Sequence, residues 1–209
     1  MARVRGGDSS RARERKGIPP VKPVEKPGRG VLLLASPRLQ DPNFSRTVVL
    51  ICDHGASGTW GLVLNRRTRL TYGELIDDIP FPGASAGPVH WGGPCSVGSF
   101  QLLHRLRRPM EPDLTIGRNI RLGVDPEALR ELLGESLLPG EALRAFVGHA
   151  GWGEGQLDAE MKTGSWILAR ASSSLVFDTE PAAMWAEALR SLGNQYAGLA
   201  DFPADVRYN

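Results

Sequence analysis

With 209 residues, 41% of them hydrophobic and 23% charged, the chain has the composition of a single globular domain with a substantial core. A formal net charge of +2 is too small to imply a polyanionic partner for the molecule as a whole, and no apolar run approaches the roughly 18–20 residues that span a bilayer. Two cysteines, Cys52 and Cys95, are too few for a disulfide framework, which points to a reduced, cytoplasmic setting without membrane association.

The charge is unevenly distributed. Residues 1–29 carry nine Lys and Arg against Asp8, Glu14 and Glu25, with few bulky apolar side chains. Such a segment cannot bury enough surface to offset its ordering entropy, and it reads as a disordered basic tail ahead of one globular domain at 30–209. It serves either as an arm that grips phosphates through counterion release or as a solvated extension. Without interleaved aromatics it offers no platform for stacking bases.

Order is expected to begin at Gly30, where Val31-Leu32-Leu33-Leu34-Ala35 reads as a buried strand. Gln40-Asp41-Pro42-Asn43 marks a turn, and Thr47 to Cys52, apolar on both faces, reads as a central strand. Gly55-Ala56-Ser57-Gly58 turns the chain into Trp60 to Asn65, which predicts an antiparallel hairpin. Thr71 to Asp78 suits a short helix, with Glu74 completing a capping box on Thr71. A Gly/Pro-rich loop at 81–89 leads to Trp91-Gly92-Gly93-Pro94, and Phe100 to His104 is strand-like. Asp125-Pro126 opens a helix that Gly134 ends. Ala142 to Ala150 and Ser165 to Ala169 read as strands, and Asp178-Thr179 caps a last helix over about 180–192 with Trp185, Leu189 and Leu192 on one face. Interleaved strands and helices with early hairpin signals favour a mixed α/β class over a strictly alternating parallel sheet.

The densest stretch is Gly148 to Met161, where four glycines and Trp152 leave an apolar run and enter an acidic amphipathic helix. Gly151, Gly153 and Gly155 suggest an anion nest ahead of a helix, but Glu154, Asp158 and Glu160 place negative charge where a phosphate would sit. A tight strand-to-helix crossing with Trp152 in the core is the better reading. Gln156 and Glu160 share one helical face, where they line a cleft or meet solvent, while Leu157 and Met161 share another. Cys52 and His54, two residues apart on one strand, point the same way but lie too far apart for a thiolate–imidazole pair, so Cys52 is expected to pack as a small hydrophobe. The four histidines show no zinc-type spacing, no Gly-x-Ser-x-Gly elbow is present, and no metal or cofactor is expected.

Several blocks together resemble the AlgH/YqgE family of bacterial proteins. Ser36 to Val48 is similar to its N-terminal signature; His54, Gly58, Gly61 and Asn65 fall where its hairpin has those residues; Trp91-Gly92-Gly93-Pro94 resembles its Gly-Gly-Pro turn. Gly148 to Met161 resembles its Gly-Trp-x-x-Gly-Gln-Leu-x-x-Glu motif, and Trp166 matches the tryptophan that follows. His149 departs from the aromatic such as Tyr found in relatives. The resemblance covers residues 30–193 and leaves the tail outside. It implies an α+β fold, a mixed, bifurcated and partly barrel-like β-sheet surrounded by helices. Some members carry the label of transcriptional regulator, and the family implies no enzyme activity or cofactor.

Function is therefore expected to be non-enzymatic binding or regulation, through a cleft formed by His54, Asn65, Gly92, Gly93, Pro94, Trp152, Gln156 and Glu160 that takes a protein or small-molecule partner. Two other classes stand beside it. One is a small-molecule hydrolase or transferase using His54 or Glu160 as general base. The other is nucleic-acid binding through the tail, since no helix of the domain has a basic DNA-reading face.

Overall fold

The computed structural model of the protein describes residues 21–75, 87–106, 113–123 and 143–202. The chain runs β1 (Val31–Ala35), β2 (Val48–Gly55), β3 (Gly58–Val63), β4 (Arg67–Thr71), α1 (Tyr72–Leu75), β5 (Pro88–Trp91), β6 (Cys95–His104), β7 (Asp113–Gly117), β8 (Ile120–Gly123) and β9 (Leu143–Trp152). It continues through α2 (Gln156–Lys162), β10 (Trp166–Arg170), α3 (Ser173–Asp178), α4 (Pro181–Ser191) and α5 (Asn194–Ala197) to a final 3-10 turn. The strands form one sheet in the order β10-β1-β2-β3-β9-β6-β8-β7, with β4 and β5 on a side branch.

Strand β9 is the hub. One edge pairs with β6. The other edge is divided: Ala145–Val147 pairs in parallel with β5, and Ala150–Trp152 pairs antiparallel with β3. Gly148 lies between the two claims with φ +71°. At this fork the Gly92 N–H donates to Val147 O at 2.9 Å while Gly92 O accepts from the Val63 N–H at 2.8 Å, so one glycine ties both branches together. Side chains cannot be added here. A Cβ on Gly92 would lie 2.2 Å from Gly148 O, one on Gly93 (φ +148°) 2.2 Å from His149 C, and one on Gly148 2.6 Å from Gly93 O.

The sheet curls so that its two ends approach each other, giving a half-barrel, antiparallel apart from the β5–β9 pair. Gly30, with φ +77°, passes so close to β7 that a Cβ would sit 2.5 Å from Ile116 O. Ile116 and Ile120 from one end share a core with Leu32, Leu34 and Leu50 near the other. Helices α3 and α4 fill the same face through Leu175, Val176, Phe177, Met184, Trp185 and Leu189. Trp185 is pinned there by donating its indole N–H to Ala35 O at 2.8 Å. The opposite face of β1 and β2 buries Leu33, Val49 and Ile51 under α2 and the 36–47 loop. Burial on both sides explains why β1 and β2 read as continuous apolar runs.

Several sequence expectations need adjusting. Chain order does not wait for Gly30: Val21 is buried, Pro23 bridges Ala169, and Arg170 N donates to Lys22 O at 2.9 Å, so residues 22–24 cover the outer edge of β10. An edge strand left bare is a template for aggregation, and this segment shields it. Asp178 and Thr179 do not cap α4. They end α3, and Glu180 is the N-cap of α4 without a side-chain cap bond. Nor is α4 the last helix, since α5 follows. The capping bond at Thr71 is present, with Glu74 Oε2 accepting from Thr71 N at 2.8 Å. The helix expected at 125–134 lies outside the described residues.

The fork predicts a steep difference among glycines. Gly93→Ala, which forces a side chain into the backbone of β9 at a left-handed φ, is expected to cost at least about 3 kcal/mol in urea unfolding. Gly55→Ala, at an exposed site with nothing within 4 Å, should stay within about 0.5 kcal/mol of the parent.

Candidate functional site

The glycine-tryptophan segment is built around a half-buried carboxylate. β9 delivers Trp152 to the second core, stacked on Phe44 (centroids 5.8 Å apart) and edge-on to Trp166 (6.0 Å). Gly153 to Gly155 turn the chain, and Gly155 at φ +67° starts α2. Glu160 Oε2 then accepts from both indoles, Trp152 Nε1 at 3.0 Å and Trp166 Nε1 at 2.7 Å. Gln156 steadies this carboxylate by donating to Glu160 Oε1 at 3.1 Å, and its own carbonyl accepts from Gly153 N at 3.1 Å. The shared face of Gln156 and Glu160 is therefore a clamp between the end of β9, α2 and β10. Leu157, on another face, is buried. The anion-nest reading has no support here, because Gly151 lies in the strand and the Gly153 N–H is taken.

His54 joins one side of this clamp. Its Nδ1 lies 2.6 Å from Thr59 Oγ1 across the hairpin. The register pairs His54 with Thr59, and Thr59 with Trp152, so these three side chains form a row across β2, β3 and β9. Asn65 and the Gly92-Gly93-Pro94 turn lie at the other end of β3, where Val63 bonds Gly92. Four residues of strand, about 13 Å, separate Thr59 from Val63. Asn65 there accepts from Val48 N at 2.9 Å and donates to Arg46 O at 2.8 Å, fixing the loop that carries Phe44. The structure thus gathers His54, Trp152, Gln156 and Glu160, and connects Asn65 to them only through Phe44. Gly92 and Gly93 build the fork, and Pro94 is exposed.

Cys52 is fully buried, and a bulge between Ile51 and Asp53 breaks the pleat between it and His54. Burial pushes the Cys52 thiol far up, which removes it as a nucleophile. Among the described residues, no group of three His, Cys, Asp or Glu is placed to hold a metal ion. No described helix is long and apolar enough to cross a membrane.

A second polar cluster was not singled out from the sequence. His90 on β5 is 3% exposed, Arg144 on β9 7%, and Thr179 4%. His90 packs against Phe146 with ring centroids 5.3 Å apart. Arg144 donates to Thr179 O at 2.7 Å and Leu64 O at 3.3 Å. Among the described residues, the His90 ring nitrogens and the Thr179 hydroxyl have no well-aligned partner, although the Ala145 backbone lies beside the His90 ring. Burial, then the nearby Arg144 guanidinium, pushes the His90 imidazole down to about 3, so it is neutral at pH 7. Burial also pushes Arg144 down to about 10. The available signal was an arginine inside the apolar run Leu143-Arg144-Ala145-Phe146-Val147.

Fold and motif together define a class: a half-barrel α+β protein whose sheet forks at a Gly-Gly/Gly crossing and is clamped by two tryptophans on one glutamate. The sequence profile of AlgH-like proteins matches residues 32–197. This chain belongs to the AlgH-like family. A relative in Chlorobaculum tepidum, a protein of the uncharacterised UPF0301 group, is 38% identical over 183 residues, covering 86% of this chain and 94% of that protein. A second, in Cytophaga hutchinsonii, is 36% identical over 87% of this chain and 98% of the relative. The solution structure of the AlgH protein from Pseudomonas aeruginosa is similar, with TM-score 0.68, 26% identity, and coverage of 85% of this chain and 97% of that one. A crystal structure of a Corynebacterium diphtheriae protein shares the fold, with TM-score 0.69 at 24% identity over 85% and 94% of the two chains.

Two measurements check this geometry. Glu160→Ala strands two indole N–H groups and is expected to lower the unfolding free energy by about 2–4 kcal/mol, whereas Glu160→Gln, which keeps a carbonyl for them, should cost about 1 kcal/mol. His90 gives a pH signature. Its folded pKa is about 3 and its unfolded value 6.5, so the unfolded chain takes the proton first. Stability from this group is intact above pH 6.5 and is lost as pH falls towards 3, by up to about 1.4 kcal/mol per unit. His90→Leu should flatten that acid limb in urea titrations from pH 7 to 4.

Proposed function

We propose that the chain is a non-enzymatic binding or regulatory protein, and that its partner, a protein or small molecule, meets the His54–Thr59–Trp152 row and the Gln156–Glu160 side of α2. The observation that carries this reading is the occupancy of Glu160. Both oxygens of the best-placed general base already accept hydrogen bonds, from Gln156, Trp152 and Trp166. His54, the other base candidate, has Nδ1 engaged by Thr59. A carboxylate committed in this way shapes a surface, and His54, held at Nδ1, presents Nε2 to a partner.

Regulation in this reading works through a bound partner. Among the described helices, α4 buries Met184, Trp185, Ala188 and Leu189 and turns Glu187 and Arg190 outward, which gives no basic face for a DNA groove. The cytoplasm is the proposed compartment, on the two free cysteines. The hydrolase or transferase alternative requires Glu160 to be released from its partners, or His54 to work through Nε2.

The test pairs native mass spectrometry of the protein purified from its own cells with a broad substrate screen. The expected result is a stoichiometric, exchangeable adduct that His54→Ala weakens, with wild type and Glu160→Gln equally inactive in the screen. Turnover by wild type that Glu160→Gln lacks would establish the enzyme instead. Nucleic-acid binding by the tail is checked by fluorescence anisotropy with and without residues 1–20. The expected outcome is equally weak binding, and a salt-dependent affinity lost on deletion would show that the tail is an arm for phosphates.

A further inference from the structure

We infer that the cluster of His90, Arg144, Thr179 and Arg67, between the β4–β5 branch and the start of α4, is a binding site for a small ligand bearing an oxyanion, a carboxylate or phosphate group. It uses different residues from the face proposed above, so either reading can fail alone.

The placement comes from register. Arg67 on β4 is opposite His90 on β5, and His90 is opposite Phe146 on β9, so the three side chains share one sheet face. Arg144, two residues before Phe146 on the same strand, shares that face. Thr179 closes the group, since its carbonyl binds Arg144. Arg67, Arg144, the His90 ring and the Thr179 hydroxyl can each donate a hydrogen bond, and the Glu180 and Asp178 carboxylates lie near enough to act on the Arg144 charge. Arg144 spends two of its five N–H donors on the carbonyls of Leu64 and Thr179. A neutral His90 carries one N–H beside the Ala145 backbone without a well-aligned bond to it, the Thr179 hydroxyl has no partner among the described residues, and both side chains are over nine-tenths buried. Buried donors around a guanidinium call for an acceptor with several lone pairs and negative charge, which is the chemistry of an oxyanion.

The way in is marked by the Arg67–Glu180 pair. Its bond is 3.0 Å, but the side chains are 51% and 74% exposed. An exposed pair of this kind costs little to open. An entering anion takes the place of Glu180 on Arg67, while Asp178, next to Thr179, is held by Arg105. Glu180 is also the counter-charge that such a ligand must displace.

The test is a titration of the full chain with inorganic phosphate and separately with acetate, against chloride at matched ionic strength, followed by amide and histidine-ring NMR shifts. Saturable shifts at His90, Arg144 and Thr179 are expected for one or both anions. Thr179→Val should weaken binding about 10-fold, and Glu180→Gln, a surface change away from the core, should tighten it several-fold. The tightening variant guards against reading a folding defect as lost binding. The proposal is overturned by no saturable shift at these residues with either anion, or by shifts that Thr179→Val and Glu180→Gln leave unchanged. The first anion to saturate identifies the ligand class, and because His54→Ala should leave this binding unchanged, its failure and that of the preceding reading are distinguishable.

Discussion

A single strand edge shared between two partners shapes this molecule. β9 must satisfy its N–H and C=O groups against β5 over one half and β3 over the other, and a change of partner leaves backbone polar groups exposed at the junction. The protein closes that junction with Gly92, whose amide and carbonyl serve the two branches in turn. Backbone this close leaves no room for Cβ atoms, which makes Gly92, Gly93 and Gly148 steric necessities. With the fork in place, the long arm of the sheet can curl and enclose α3 and α4, while the short arm carries β4 and β5.

The tryptophan clamp follows from the same strand. Where β9 ends, the chain must reverse into β10 through α2, a helix of only seven residues that has little stability of its own. Trp152 and Trp166 bury large rings there, and each brings an N–H that needs an acceptor. Glu160 supplies one oxygen to both, and Gln156 holds the other. The Phe44 loop packs over the pair and is fixed by Asn65, so residues far apart in sequence stabilise one corner. The segment that looked most like a site in sequence is, in the fold, the tie between two strands and a helix.

Legibility varied with how local the cause was. β1, β2 and the hairpin were readable because burial on both faces leaves unbroken apolar runs and the turn is four residues of small side chains. The forked, partly barrel-like sheet came from the family resemblance and not from periodicity. β4 was not readable: Arg67-Thr68-Arg69-Leu70-Thr71 is polar and largely exposed, and it is a strand because β5 pairs with it. α3 was missed because Asp178 looked like a cap for the next helix. Of the expected site, Gln156 and Glu160 share a face as their spacing suggested, while the bond from Trp152 to Glu160 and the register of His54 are features only the fold reveals. The separation of Asn65 and Gly92 from that end depends on the direction of β3 in the sheet, which no local pattern encodes. His90 and Arg144 escaped notice because their meeting depends on the parallel β5–β9 pairing.

The central claim is that β9 joins both branches into one cooperative unit. Native-state amide hydrogen exchange tests it most directly, because opening free energies report which segments unfold together. The account predicts that the hydrogen-bonded amides of Ala145–Val147 and of Ala150–Trp152 exchange with the same free energy, equal to that of global unfolding. Exchange of either half at a clearly lower free energy, with the other half still protected, would contradict it.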